Sequence, residues 1–212
     1  AYGKDPQHFL LINNGRAYFE DQTNQRLQAP TELGMINAAE PIDFDGDGDI
    51  DLVLAGEWTG ITLLQNNGSG QFEKASIPDF VNTQGWWFSL HVTDVNNDGL
   101  PDIVAGNLGL NTKLKASEER PVTLSVNDID GNGQIDPIIF HYQNGKQTPF
   151  ASRDDLIKQV SKIKKLHSNY EDYAKNSSPE TLLGEYFTQG YVKTAKTFES
   201  VVFLNKGNSR FQ

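Results

Sequence analysis

Not one cysteine occurs among the 212 residues, and there is a single methionine. Disulfides and thiolate metal sites are thereby excluded, although the absence names no compartment. No run reaches the roughly 20 apolar residues that a helix needs to cross a bilayer. The amino terminus shows no basic-then-apolar leader pattern either. It opens AYGKDPQHFLLINNG, which reads as the interior of a longer, processed chain. Bases are scarce: 18 Lys and Arg against 28 Asp and Glu leave a formal charge of −10. That balance is unfavourable for nucleic acid, and no basic stripe or recognition module argues otherwise. Gly-x-Ser-x-Gly, zinc-ligand and phosphate-loop patterns are missing. The histidines His8, His91, His141 and His167 are scattered, without a partner at fixed spacing.

What is present is acid in a repeated frame. DFDGDGDID places Asp43, Asp45, Asp47, Asp49 and Asp51 at positions one, three, five, seven and nine, with Gly48 at six. A hard cation of calcium's size takes six to eight oxygen ligands, and a short loop supplies them by alternating side chains inward around a glycine-permitted turn. Asp43, Asp45, Asp47 and Asp51 are expected to ligate through carboxylates and Asp49 through its backbone carbonyl. The frame recurs as DVNNDGLPD, with Asp94, Asn96, Asp98, Gly99 and Asp102, and as DIDGNGQID, with Asp128, Asp130, Asn132, Gly133 and Asp136. Position seven there is Leu100 and Gln134, which suits a backbone ligand. About three calcium ions are expected. Eleven of the 28 acids lie in these loops, so the acidity is mostly ligand inventory.

Position twelve of the frame is Leu54, Ala105 and Ile139, so the bidentate acid of a helix-flanked calcium loop is missing. The flanks, Ile50 to Leu54, Ile103-Val104 and Ile135 to Phe140, are β-branched and aliphatic runs that predict strands. A second phrase also repeats. LLINNGRAYFED at 10–21 matches LLQNNGSGQFEK at 63–74, with a looser copy, FLNKGNSRFQ, at 203–212. Each reads as a hairpin with a glycine turn. Residues 36 to 76 spell one complete four-stranded unit, with strands expected at Ile36–Phe44, Leu52–Trp58, Ile61–Gln65 and Gln71–Ala75. Repeated units of that kind are propeller blades. The second unit, from about Trp86, has lost or shortened its outer hairpin around GLNTKLKASEERP.

The third unit, from about Val122, is interrupted after Phe150. Ser152 and Asp155 form a capping box, and Leu156, Val160, Ile163 and Tyr170 follow at helical spacing, with Lys158, Lys162 and Lys165 opposite and Asp154 placed to pair with Lys158. Ser178-Pro179-Glu180 announces a second short helix. The organisation read from the chain is 1–150 as blades with three calcium loops, 151–192 as a helical insertion and 193–212 as closing strands of the last blade. The fold class is mostly β, a partial β-propeller of about three to three and a half blades.

DFDGDGDIDLVLAG, DVNNDGLPDIVAG and DIDGNGQIDPIIF, joined to the NNGSGQF hairpin, resemble bacterial FG-GAP/VCBS repeat proteins, relatives of the integrin α-subunit propeller. The match is nearer the bacterial repeats, since Ala55-Gly56-Glu57 and Ala105-Gly106-Asn107 stand where the integrin pattern has Gly-Ala-Pro. The resemblance implies calcium-stabilised blades and a secreted or cell-surface location. The expected role is a binding scaffold for a protein or glycan, the alternative being a polysaccharide-active lyase or hydrolase. Trp58, Trp86 and Trp87 with Phe88 are expected in the blade core, a sugar-stacking platform being the other reading. Open blade edges at both ends predict self-association.

Overall fold

The computed structural model describes residues 2–28, 33–186 and 190–212. The chain forms two compact units, one of Asp5–Asn111 with Phe198–Gln212 and the other of Thr112–Thr197 with the residues through Lys4.

The larger unit begins with a self-contained hairpin, β1 (Leu11–Asn13) against β2 (Phe19–Asp21), then a one-turn helix α1 (Thr23–Arg26). Four antiparallel strands follow: β3 (Met35–Ile42), β4 (Asp51–Thr59), β5 (Thr62–Asn66) and β6 (Phe72–Lys74). They lie in the meander order expected for residues 36 to 76, in registers such as Ile42↔Asp51, Leu52↔Leu64 and Asn66↔Phe72. β4 is central and buried on both faces, so its sequence DLVLAGEWT is continuously apolar over its middle instead of alternating. Val53 and Ala55 join Leu63, Trp87, Ile103 and Phe203 in one core, while Leu54 and Leu64 pack with Leu27 and Leu33 on the other side. Full burial of each such aliphatic side chain favours folding by about 1.5–3 kcal/mol. Gly56 is required there, because a Cβ would collide with the Met35 carbonyl.

Beyond β6 a 3₁₀ turn (Pro78–Phe80) leads to β7 (Gly85–Thr93) and β8 (Asp102–Asn107). β4 reaches β7 through Glu57↔Trp86 and Thr59↔Gly85, with a bulge at Trp58, whose φ is +58°. That left-handed backbone is costly for an aromatic residue. Burial of its ring, 5 % exposed and edge-on to Trp86 at 4.9 Å between centroids, offsets it. Trp87 is buried with its Nε1–H donated to Thr83 O at 2.9 Å, and Phe88 is half exposed. The two buried tryptophans are therefore core.

The outer strand on β8 comes from the far end of the chain. β13 (Val201–Phe203) pairs β8 through Val201↔Ala105 and Phe203↔Ile103. So residues 193–212 do not form one set of closing strands: the third copy of the hairpin phrase completes the second unit, where residues 108–120 supply no strand. The reason is local chemistry at Asn205, described below.

The smaller unit holds β9 (Val122–Asn127), β10 (Asp136–Gln143), β11 (Lys146–Pro149) and β12 (Tyr191–Ala195), in the order β11-β10-β9-β12. Asn144 and Gly145, both at positive φ, make the two-residue turn between β10 and β11. Between β11 and β12 lie α2 (Arg153–Gln159), α3 (Ile163–Leu166), α4 (Tyr170–Asn176) and α5 (Pro179–Leu183). Ser152 and Ser178 cap α2 and α5 by accepting the N–H of Asp155 and Thr181.

The helical periodicity after Ser152 is broken up. Val160 and His167 adopt extended backbone, and Leu156, Val160 and Ile163 still reach one core with Ile129, Ile138 and Phe140. Tyr170 is exposed and Tyr173 takes the buried place, its hydroxyl donating to Ala151 O at 2.9 Å. Lys158 pairs with Asp155 at 3.0 Å and Asp154 with Arg153 at 3.1 Å, so the expected Asp154–Lys158 pair is not formed. No helix among the described residues is long and apolar enough to cross a membrane.

Candidate metal centre

Each acidic frame links two consecutive strands that pair antiparallel: β3 to β4, β7 to β8, β9 to β10. All three loops use the same hydrogen-bond programme. The first-position carboxylate accepts backbone N–H groups from the turn: Asp43 from Gly46 and Gly48 at 2.8 and 3.2 Å, Asp94 from Asp98 and Gly99 at 3.2 and 2.9 Å. Asp128 accepts from Gly131, Asn132 and Gly133 at 2.8, 3.0 and 2.7 Å. The fifth-position side chain accepts the N–H of the seventh residue: Asp47 from Asp49 (2.8 Å), Asp98 from Leu100 (2.9 Å), Asn132 from Gln134 (2.7 Å). The glycine at six takes φ of +84° to +90° in each loop, which a side-chain-bearing residue adopts only with strain.

The ninth position is the buried anchor. Asp51, Asp102 and Asp136 are 0, 0 and 5 % exposed, and each accepts the N–H of the second residue of its own loop. Asp51 and Asp102 use their second oxygen on the hairpin phrase, accepting from Asn66 N and Asn205 N, both at 2.7 Å. Those asparagines were not anticipated as part of the site. The repeated N-x-G phrase was the signal, legible only as a turn. Gln65 was missed too: its Nε2–H donates to Asp45 Oδ2 at 2.6 Å.

The structure brings the carboxylates of Asp43, Asp45 and Asp51 together, with oxygens within 4.8 Å of one another, and likewise Asp128, Asp130 and Asp136. In the second loop Asn96 occupies the third position between Asp94 and Asp102, and donates through Nδ2 to Asp98 Oδ2 at 2.9 Å. The fifth-position groups Asp47, Asp98 and Asn132 are engaged in the turn and stand outside the two carboxylate clusters. Asp49, Leu100 and Gln134 donate their N–H groups inward to those side chains.

Burial pushes the Asp51 carboxyl up from the ordinary range, with Asp45 and Asp47 adding repulsion against the two N–H bonds that favour its charge. Burial does the same at Asp136, beside Asp130 and Asp128. Asp128 is held low by the Gly133 N–H and further by Lys162. Crowded oxygens that include a desolvated carboxylate could hold a hard dication. The other titratable candidates stand apart. His8 Nε2 lies 2.8 Å from Gly34 O, His141 sits edge-on to Phe150, and His91 is exposed on β7. His167 is buried, with Nδ1 3.1 Å from Asp172.

No curated protein and no solved structure matches the chain. Residues 43–105 match the family model described as FG-GAP-like repeat. That segment runs from the first loop into the strand after the second, and over it the chain is similar to an FG-GAP-like repeat.

Proposed function

We propose that the chain is a calcium-stabilised portion of an extracytoplasmic β-propeller that serves as a binding scaffold, its ligand a protein or a glycan. The observation that carries the reading is the threefold recurrence of one loop, with the ninth-position aspartate reaching out of the loop to the outer hairpin in two cases. A bound dication supplies charge neutralisation at carboxylates that otherwise repel one another. Asp43, Asp45 and Asp51 would hold it in the first loop, Asp94, Asn96 and Asp102 in the second, and Asp128, Asp130 and Asp136 in the third. With the loop acids neutralised, Asp51 and Asp102 keep both the turn and the hairpin on one anchor, so the metal acts through sheet order.

The bacterial and integrin-like assignment belongs to the same reading and rests on the repeat match and the loop frame. Calorimetry on chelator-treated protein tests the metal: about three calcium sites are expected, and no heat with calcium would refute it. A glycan and protein array, run with calcium and with chelator, tests the scaffold. Calcium-dependent capture without turnover supports it, and release of product from a polysaccharide would replace it by the enzyme reading.

A further inference from the structure

The three copies of the hairpin phrase align residue for residue from Leu11, Leu64 and Phe203 onward, and one of them differs in what covers it. Leu11, Leu64 and Phe203 occupy the same place in the phrase, two residues before the asparagines Asn13, Asn66 and Asn205. Leu64 is 2 % exposed, packed with Leu27, Leu33, Leu52 and Leu54, and Phe203 is 9 % exposed, in one core with Phe80, Trp87 and Ile103. Each lies beside a strand that emerges from an acidic loop, in the pairs Leu52↔Leu64 and Ile103↔Phe203. Leu11 is 52 % exposed. Around it Phe9, Tyr18 and Phe19 are also more than half exposed.

The backbone tells the same story. In β1–β2 the Gln22 N–H donates to Leu10 O and the Asn14 N–H to Tyr18 O, so Leu11 and Asn13 fall in the alternate register and aim their N–H groups away from β2. In β5–β6 the Asn67 N–H donates to Gln71 O and the Ala75 N–H to Leu63 O, which turns the Asn66 N–H outward to Asp51. The Lys206 N–H donates to Arg210 O, which turns the Asn205 N–H outward to Asp102. Among the described residues the Asn13 N–H meets no such carboxylate. The hairpin is nonetheless held in place: Thr23 Oγ1 accepts the Leu10 N–H at 2.8 Å, and Gln28, just beyond α1, donates its N–H to Phe72 O at 3.1 Å.

We infer that the free edge of β1 is a docking site for one kind of partner: a β-strand led in by a further D-x-[D/N]-x-[D/N]-G-x-x-D loop, whose last aspartate accepts the Asn13 N–H and whose strand covers Leu11. The strands of this type in the chain are already engaged. β4 has β5 and β8 has β13. β10 has β11, and over the residues nearest its loop the insertion takes the outer place, with Gln159 Nε2–H donating to Pro137 O and the Phe150 N–H to Ile139 O. The occupant is thus a further repeat, not a second copy of this chain. This extends the propeller reading, and it is tested without reference to metal affinity.

The test tethers a second copy of residues 36–58 to the amino end of the full chain by a long Gly/Ser linker, which raises the local strand concentration to about the millimolar range. Hydrogen exchange at Leu11 and Asn13 should slow at least tenfold relative to the untethered chain. Asp51→Ala within the tethered copy should release Asn13, and Leu11→Asp in the hairpin should abolish the whole effect. Leu11→Asp in the untethered chain should leave Tm unchanged, showing that the chain still folds. Unchanged exchange on tethering overturns the inference. So does protection in the untethered chain that grows with concentration alongside dimer in sedimentation, because a second copy would then hold the edge.

Discussion

The Asn205 N–H donates to Asp102 Oδ1 at 2.7 Å although 103 positions separate them, and neither residue is measurably exposed. The other Asp102 oxygen accepts the Val95 N–H at 2.9 Å, and Asn205 Nδ2–H donates to Phe44 O at 3.0 Å. One carboxylate thus closes the second loop and fastens the end of the chain to it. Asp102→Ala should destabilise the larger unit by about 2–4 kcal/mol, since two N–H groups lose a charged acceptor. Asn205→Ala, which keeps the backbone bond, should cost about 1 kcal/mol. Denaturant unfolding in chelator separates these effects from any loss of metal.

Loop charge should set the order of calcium affinity. The first loop carries an acid at position three where the second has Asn96, and carboxylate count is one lever on calcium binding. Asn96→Asp should tighten the second site and Asp45→Asn should weaken the first, each by several-fold. Site-resolved calorimetry checks both, and unchanged affinities in Asp45→Asn would overturn the charge argument.

Asp79 fastens the terminal hairpin by a different device. Arg210 donates to both of its oxygens, at 2.8 and 3.2 Å, and the Phe211 N–H donates at 3.0 Å. The Arg210 bond, followed by the Phe211 N–H, holds the Asp79 carboxyl below its ordinary range. A carboxyl depressed on folding stabilises the folded state above the unfolded group's pKa of about 3.9 and loses that contribution as pH falls through the folded value. Amide exchange over residues 204–212 should accelerate below about pH 4. In Asp79→Asn the same segment should exchange fast at neutral pH and show little further change on acidification.

In the insertion, burial pushes the Tyr173 hydroxyl up to about 12. A tyrosine raised on folding contributes stability that is complete below the unfolded pKa of about 10 and is lost as pH rises through the folded value. The α2–α5 region should therefore loosen between about pH 10 and 12. Tyrosinate absorbance should show a residue titrating at about 12, and Tyr173→Phe should remove that component.

The loops and the strands after them were legible because their determinants are local: ligand spacing, a glycine at positive φ and a β-branched run all lie within about a dozen residues. The meander of β3 to β6 was legible for the same reason. The pairing of β13 with β8 was not, since nothing near Val201 names its partner. Only the Asn205 N–H, in the register that Asn66 repeats, reveals it. Nor could periodicity distinguish one helix after Ser152 from two short ones separated by extended Val160, because Leu156, Val160 and Ile163 reach the same core either way. The double duty of Asp51 and Asp102 lay hidden behind their role as expected ligands.

The late arrival of β13 sets a timetable for the growing chain. Asn107 at the end of β8 receives a bond from Ser200 only across 93 positions, its N–H donating to the serine Oγ at 3.1 Å. At about 5–20 residues per second, a ribosome leaves the outer edge of β8 bare for roughly 5–20 s. The whole of Thr112–Thr197 is made in that interval. An uncovered strand of Ile103, Val104 and Ala105 is adhesive to other nascent chains for as long as it waits. Yield in a cell should therefore follow the speed of translation across this span: slower codons between 112 and 200 should lower soluble protein without altering a single contact of the finished fold.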